Sequence, residues 1–480
     1  MSKNIILLIF PCLLILMNAC SSLNEIEFIE FKANFESPQV VRIGEPVEFR
    51  PSLSTSGAIT YSWSFGDKLG QSSQEANPSF TYDSIGNYTI MLKVEILKDT
   101  GLVKDSIQKN IIVLPQTENP GDEQFYEYGQ EIGSQRGSAL YPISEGGFVI
   151  AGQKNVNTLV VTKVNANQEI MSGWPKEFNN FGTGQMFVRA VKETVNGGIL
   201  IIGYFQYQSD DSDAFLLKIS GQGNEVWRTI IRSDKDEKFT DVIEDPLGNL
   251  LIVGTFATSG RPSVVLNRYS AQGVLSEPYT VPRELCNSCT AEVIRRTQDG
   301  GFVIAGQQIE SPMVMKFDLN GLFQGKSTLN TLSGVGSSII QLQNGKYILV
   351  GKTIEANPDS SHAFIAQFDV IGNAEDWRQI LRLYEEEFVD VWAAQNGDLV
   401  AVGTHHNPLS GRDALLGRFD RITGQTKQVR LISRSGNSRI SKAWMTSEDD
   451  ITLIGSMNSN TSSPTQQKIM LMKFTSSFWE

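Results

Sequence analysis

The sequence predicts an all-β protein: an N-terminal immunoglobulin-like sandwich followed by a seven-bladed β-propeller closed by an N-terminal strand. The first observation behind this is a heptapeptide, Gly-Gly-Phe-Val-Ile-Ala-Gly at Gly146 to Gly152, which returns almost letter for letter at Gly300 to Gly306. Looser copies run Gly197 to Gly203, Gly248 to Gly254, Gly345 to Gly351, Gly397 to Gly403 and Asp449 to Gly455. The second is spacing. The closing glycine falls at intervals of 51, 51, 52, 45, 52 and 52 residues, and a period near fifty built of short apolar runs and turn glycines belongs to propeller blades rather than to helical solenoids. The third is the alternating polarity of residues 27–114, broken by Gly, Ser, Asn and Asp turns at the spacing of a sandwich.

Composition agrees with a globular chain: of 480 residues, 20% are charged and 40% hydrophobic. A propeller can occupy most of that length because each blade packs only on its neighbours. The net charge of −12 argues against nucleic acid as a partner, since phosphate binding rests on Lys and Arg.

Taken in order, the chain opens with Lys3, an apolar run from Ile5 to Met17, and Asn18-Ala19-Cys20. A charged start, a short apolar region and a small residue before the cut make a secretory signal. The segment resembles a bacterial lipoprotein signal, which implies cleavage after residue 19 and a lipid on Cys20. Ser21 stands where an aspartate would imply inner-membrane retention, so the resemblance implies a cell-envelope protein of the outer membrane. Residues 20–26 then form a tether. No later segment is apolar for long enough to span a bilayer.

Within residues 27–114 lie Tyr61-Ser62-Trp63-Ser64-Phe65-Gly66-Asp67, Asn77-Pro78-Ser79-Phe80-Thr81-Tyr82 and Gly86-Asn87-Tyr88-Thr89-Ile90-Met91-Leu92-Lys93-Val94. In this order they resemble a PKD domain, departing from its pattern at Lys68, where a second turn glycine is usual. Trp63 and Phe65 alternate on one strand face and are expected in the core, with Tyr88 placed to tie a loop to its strand through its hydroxyl. The resemblance implies a spacer or protein-contact role. Residues 115–123, rich in Pro, Asn and Gly, read as an exposed linker.

From residue 124 to 480 each repeat reads as four strands, A to D. Strand A carries an apolar residue twelve positions before the closing glycine, strand B is the heptapeptide, and strand C alternates around a basic position at Lys163, Lys218, Arg268, Lys316, Arg418 and Lys473, with Gln367 the exception. One basic residue per blade is expected to lay its stem along the blade edge with a solvated head. The seventh repeat ends after strand C, while Phe125 to Gly129 forms an orphan strand D ahead of the first strand A. Adding it to the seventh blade closes the ring and removes unpaired edges. The region resembles the bacterial Gly-Gly-Phe propeller repeats of secreted proteins, a resemblance that implies fold rather than function.

A-to-B and C-to-D turns share one face of such a ring, and B–C and D–A loops share the other. From the closing glycine to the basic position the count is 11, 15, 14, 10, 16, 15 and 18 residues, whereas the C–D turns barely vary. Irregular loops on a rigid scaffold carry binding residues, so the B–C/D–A face is the expected ligand face. Three clusters are assigned to it. Tyr204, Phe205 and Tyr207 precede Asp210, Asp211 and Asp213, an aromatic and acidic set suited to sugar rings. These aspartates lack the turn glycine and closing glutamate of a calcium loop. Glu385, Glu386 and Glu387 read as a solvated acidic loop. The only three histidines, His362, His405 and His406, are placed on adjacent B–C loops near Asp359, where they qualify as weak candidates for a zinc or nickel site.

Cys286 and Cys289 suit a local disulfide outside the cytoplasm, since a zinc site needs two further ligands and none has paired spacing nearby. No serine-hydrolase elbow, zinc-protease helix motif or phosphate loop occurs. The nearest approach to a sialidase box, Ser220 to Trp227, has Gln222 and Asn224 where Asp and Gly are required. No cofactor is expected. Three function classes remain: a non-catalytic binding or scaffold lipoprotein for a glycan or partner protein, a polysaccharide-degrading enzyme with carboxylates assembled from distant blades, and a structural envelope component.

Overall fold

A computed structural model describes residues 32–479 apart from 54–58, 68, 99–100, 119–124, 129–138, 208–210, 234–235, 259, 356–360, 371–373, 408–410, 434–436 and 459–466. Cys20, Lys68, Gly129, Asp210 and Asp359 therefore lie outside the described residues. The chain divides into two compact units.

The N-terminal unit is built on a five-stranded sheet in the order Val40–Arg42, Gly101–Leu114, Gly86–Lys98, Ile59–Ser64, Ser72–Ser73, with short pairings of Phe35–Glu36 to Arg50–Pro51 and of Pro46–Glu48 to Ser79–Thr81. Its core is aromatic. Trp63 and Phe65 are both buried, Phe65 stacks on Phe80 at 4.3 Å, and Trp63 meets Phe35 edge-on at 5.2 Å. The turn glycine Gly66 has φ +71°, and a Cβ there would strike the backbone of Thr89. Tyr82 donates its hydroxyl to the Phe65 carbonyl at 3.0 Å, and Tyr88 packs on the Tyr82 ring at 4.5 Å.

Among the described residues the C-terminal unit consists of seven antiparallel sheets, each led by a strand A: Ala139–Pro142, Gln185–Glu193, Asp236–Glu244, Cys289–Arg296, Gly334–Gln341, Glu385–Ala393 and Asn437–Met445. The seventh blade is closed by Phe125–Tyr128, which pairs antiparallel with Gln467–Phe474. Two residues of the expected linker also extend a sheet, since Thr117–Glu118 pairs parallel with Leu431 and Ile432 of the sixth blade. An open strand D edge offers free backbone groups, and a chain passing beside it satisfies them.

Two backbone constraints explain the repeat. In every A–B turn a left-handed residue follows three positions after the turn's first, at Gly146, Gly197, Gly248, Gly300, Gly345, Gly397 and Asp449, with φ between 64° and 85°. Glycine takes that region at no steric cost, and aspartate is among the few side chains that tolerate it. The closing glycine answers a different need. In blades two to seven, strand A carries a β-bulge opposite strand B, between Val188 and Ala190, Phe239 and Asp241, Ala291 and Val293, Gly336 and Ser338, Phe388 and Asp390, and Ile440 and Lys442. The bulge pushes a strand A carbonyl at the closing glycine, so that a Cβ at Gly203, Gly254, Gly306, Gly351, Gly403 or Gly455 would come closer to it than the 3.0 Å that real Cβ atoms keep.

Four of the six basic residues of strand C turn back onto protein groups instead of ending in solvent. Lys163 and Lys316 are buried and turn toward Glu145, at 3.8 Å, and Asp299 in the A–B turns of their own blades. Lys218 reaches Thr194, and Arg418 Nε lies 2.7 Å from Asp398. Hydrogen bonds from Lys316 and Thr297 hold the Asp299 carboxyl down to about 2. The row thus anchors A–B turns, which accounts for its regularity.

Candidate functional site: the central channel

The bulges also place the site. A β-bulge leaves one residue unpaired and re-aims its side chain, and here that residue stands fourteen positions before the closing glycine in each of six blades: Arg189, Thr240, Glu292, Ser337, Val389 and Ser441. Five of the six, all but Thr240, line a cavity of about 360 Å³ inside the ring of strands A. Its wall is completed by Phe187, Tyr204, Lys352, Glu387, Arg439 and Lys442. These positions come from the first halves of strands A and the far ends of strands B, which is the B–C/D–A end of the ring. A second cavity, of about 230 Å³, shares Arg189 and Lys442 with the first and continues toward the A–B turns, where Tyr141, Trp392 and Trp444 form its wall. The two are halves of one channel.

Charge is paired across blades along this channel. Arg189 meets Glu292 at 2.6 Å, and Glu387 is shared by Arg439 at 2.9 Å and Lys352 at 3.2 Å. Burial disfavours the Glu387 carboxylate, but the two cations outweigh it and hold its pKa below the ordinary value. Deeper, Arg295 contacts Asp241 at 2.5 Å and reaches Asp390 at 3.8 Å. Those aspartates occupy matching positions in their blades, and each accepts a backbone N–H of the next blade at 3.2 Å, from Ile294 and Ala443. Ser338 donates to Asp390 at 2.8 Å. The middle of the channel is therefore a rigid polar tie, and the wider half lies above it.

Tyr207, Asp211 and His362 lie in loops as expected, but much of the remaining set sits on strands, because strands B and C run well beyond the heptapeptide. Tyr204 and Phe205 belong to Ile199–Gln206, and Asp213 to Ser212–Ile219. Strand alternation then separates neighbours. Tyr204 stacks on Phe187 at 4.9 Å at the channel mouth, whereas Phe205 is buried against Phe181 and Phe215. Asp213 is consumed by Tyr207, whose hydroxyl donates at 2.8 Å, and by Arg232 at 3.2 Å. Burial and this carboxylate push the Tyr207 hydroxyl up to about 12. Asp211 receives the Tyr207 N–H on its backbone carbonyl. Among the described residues of the aromatic and acidic set, Tyr204 alone lines the channel.

The glutamate run is likewise not a solvated loop. Glu385–Glu387 opens the sixth strand A, with Glu386 almost fully buried. His405 and His406 are on Leu399–Asn407, so they face opposite sides. His406 pairs with Glu385 at 2.7 Å, while His362 and the wholly buried His405 converge on Glu386 at 3.1 and 3.5 Å. Among the described residues no three His, Cys, Asp or Glu side chains gather as a metal set; two imidazoles here share one carboxylate as its partners. Burial raises the Glu386 pKa, but the His362 hydrogen bond and His405 outweigh it, so the net direction is downward. A carboxyl depressed in the fold contributes stability above its unfolded pKa and loses it as pH falls through the folded value. Glu386→Gln is accordingly expected to cost about 1–3 kcal/mol near neutral pH and to flatten the loss of stability below the ordinary glutamate pKa of 4.5. Urea melts of both proteins across the acid range measure this, and parallel pH profiles would refute it.

Cys286 and Cys289 are joined in a disulfide with Cα atoms 5.8 Å apart, at the entry to the fourth strand A and packed on Met313.

Residues 32–113 match the PKD domain family. No curated protein matches the chain. Among solved structures, a quinonprotein alcohol dehydrogenase-like protein from Bacteroides thetaiotaomicron is 13% identical over 84% of this chain and 96% of its own, with a TM-score of 0.39. A quinohemoprotein alcohol dehydrogenase from Pseudomonas putida is 10% identical over 72% of this chain and 75% of its own, with a TM-score of 0.45. The extracellular domain of a hybrid two-component system from Bacteroides thetaiotaomicron is 12% identical over 90% of this chain and about half (51%) of its own, with a TM-score of 0.42. At these identities the likeness is one of fold.

Proposed function

We propose that this protein is a lipid-anchored binding protein of the bacterial cell envelope, tethered through Cys20. In this proposal it takes a glycan or a partner protein at the B–C/D–A mouth of its channel and performs no chemistry on it. The supporting observation is the state of the mouth's carboxylates. Glu292 and Glu387 are each held by a cation within 3.2 Å. A glycosidase needs one carboxyl kept protonated by a raised pKa and a second free to act as base or nucleophile, and Glu387 is displaced the other way. A cavity of about 360 Å³ with polar walls is within the range of small-ligand sites, roughly 300–1,000 Å³.

The test begins with the membrane fraction, where a lipid on Cys20 places the protein, and recovery in the soluble fraction would count against the anchor. Purified protein is then run against fluorescent polysaccharides of neutral and acidic composition. Retention of at least one without shortened or oxidised product is the expected result. Turnover would favour an enzyme, and failure to retain any would remove the glycan and leave a partner protein or the structural role.

A further inference from the structure

We infer that the channel mouth is an anion site, built for a glycan end that carries a carboxylate or sulfate; this rests on the mouth being the binding site. The chain carries a net charge of −12, yet the wall of the wider cavity gathers Arg189, Lys352, Arg439 and Lys442 against only Glu292 and Glu387. A net positive cavity in a negative protein is a local arrangement that the overall composition does not supply.

The excess has an address. One carboxylate, Glu387, serves both Lys352 and Arg439, so this group of three keeps a positive charge after pairing. Lys442 has no carboxylate within 4.0 Å among the described residues, although it lines both halves of the channel. Arg189 spends one terminal nitrogen on Glu292, while its buried Nε has no hydrogen-bond partner. The unpaired Lys442 ammonium, on the same wall as the net-positive group of Lys352, Glu387 and Arg439, matches an oxyanion with two or more acceptor oxygens. Ser337 and Ser441, brought to the same wall by their bulges, add hydroxyls suited to a sugar. Below the wider cavity the channel narrows to the half lined by Arg295, Asp241 and Asp390, so a glycan entering at the mouth presents its end to the cationic wall first.

Calorimetry with trigalacturonate, its methyl ester, a sulfated chondroitin disaccharide and neutral maltotriose separates the outcomes. At least one charged probe is expected to bind about tenfold or more tightly than its neutral counterpart, and Lys442→Met to weaken it by a similar factor, with Lys442→Arg close to the parent. Which charged probe wins distinguishes carboxylate from sulfate. Affinity should also fall as salt rises from about 0.05 to 0.5 M. Equal binding of trigalacturonate and its ester, with no preference for the sulfated probe, overturns the anion site while leaving the mouth a glycan site. Charge-selective binding that survives Lys442→Met, in a variant that melts like the parent, also overturns it, because the anion then sits elsewhere. If no probe binds, both this inference and the glycan reading of the mouth fall.

Discussion

Gly403→Ala is expected to destabilise the protein by about 3 kcal/mol or more, because inserting a methyl into close-packed backbone has no inexpensive relaxation. The new Cβ would meet the carbonyl of Glu387, with its carbonyl carbon and the Phe388 Cα also inside 3.0 Å. All are backbone atoms of strand A, which is paired along its length with the strand that carries Gly403. Gly300→Ala is the informative companion. Its φ is +84°, but nothing lies within 4 Å of its Cβ, so it should lose only the left-handed penalty of about 1–2 kcal/mol. Chemical denaturation of the two variants measures the difference. Equal losses would show that the bulge can give way and that the closing glycine is kept for conformational freedom. The larger loss should also loosen the mouth, because relaxing the bulge moves Glu387 away from Lys352 and Arg439.

That glycine explains why so much of the architecture was legible. Backbone constraints are written as single letters: a left-handed turn residue and a closing glycine six positions apart repeat because each blade needs both. The aromatic alternation of Trp63 and Phe65 was legible for the same reason, since only one strand face is buried.

The site was not legible, and the reason is geometric. Past the heptapeptide, strands B and C alternate polar and apolar residues, a pattern that resembles an irregular loop when the hairpin's length is unknown. Tyr204 and Phe205 look like one cluster in sequence and face opposite ways in the fold. Glu385 to Glu387 look solvated, yet two of the three sit against buried histidine or channel cations. The channel positions did leave a signal, at fixed offsets of fourteen and thirteen residues before the closing glycine. It carries chemistry of mixed kinds, from Arg189 to Glu292 to Ser441, and no residue type recurs in more than two of the six bulged blades to draw the eye. In the basic row of strand C, which does repeat, Lys163, Lys218, Lys316 and Arg418 hold A–B turns.

Removing Phe125–Tyr128 is expected to have the other large effect, and it acts on the whole ring rather than one blade. The segment pairs residue for residue with Met472, Leu471, Met470 and Ile469, and Tyr126 packs into a cluster that contains Leu140 and Phe148 of the first blade and Ile454 and Leu471 of the seventh. That cluster is the seam where the first and seventh blades meet. Deleting the strand forfeits on the order of four ladder hydrogen bonds, about 1 kcal/mol net each, together with the Tyr126 packing. It also leaves the apolar strand Gln467–Phe474 as an open edge, available to another copy of the same chain. The expected result is a loss of about 4 kcal/mol or more in denaturant melts and concentration-dependent association in size-exclusion chromatography. Adding a synthetic peptide spanning 123–130 should reverse both, since the vacated edge is the peptide's own site. A deletion variant as stable and as monodisperse as its parent would mean that the seam holds without its clasp.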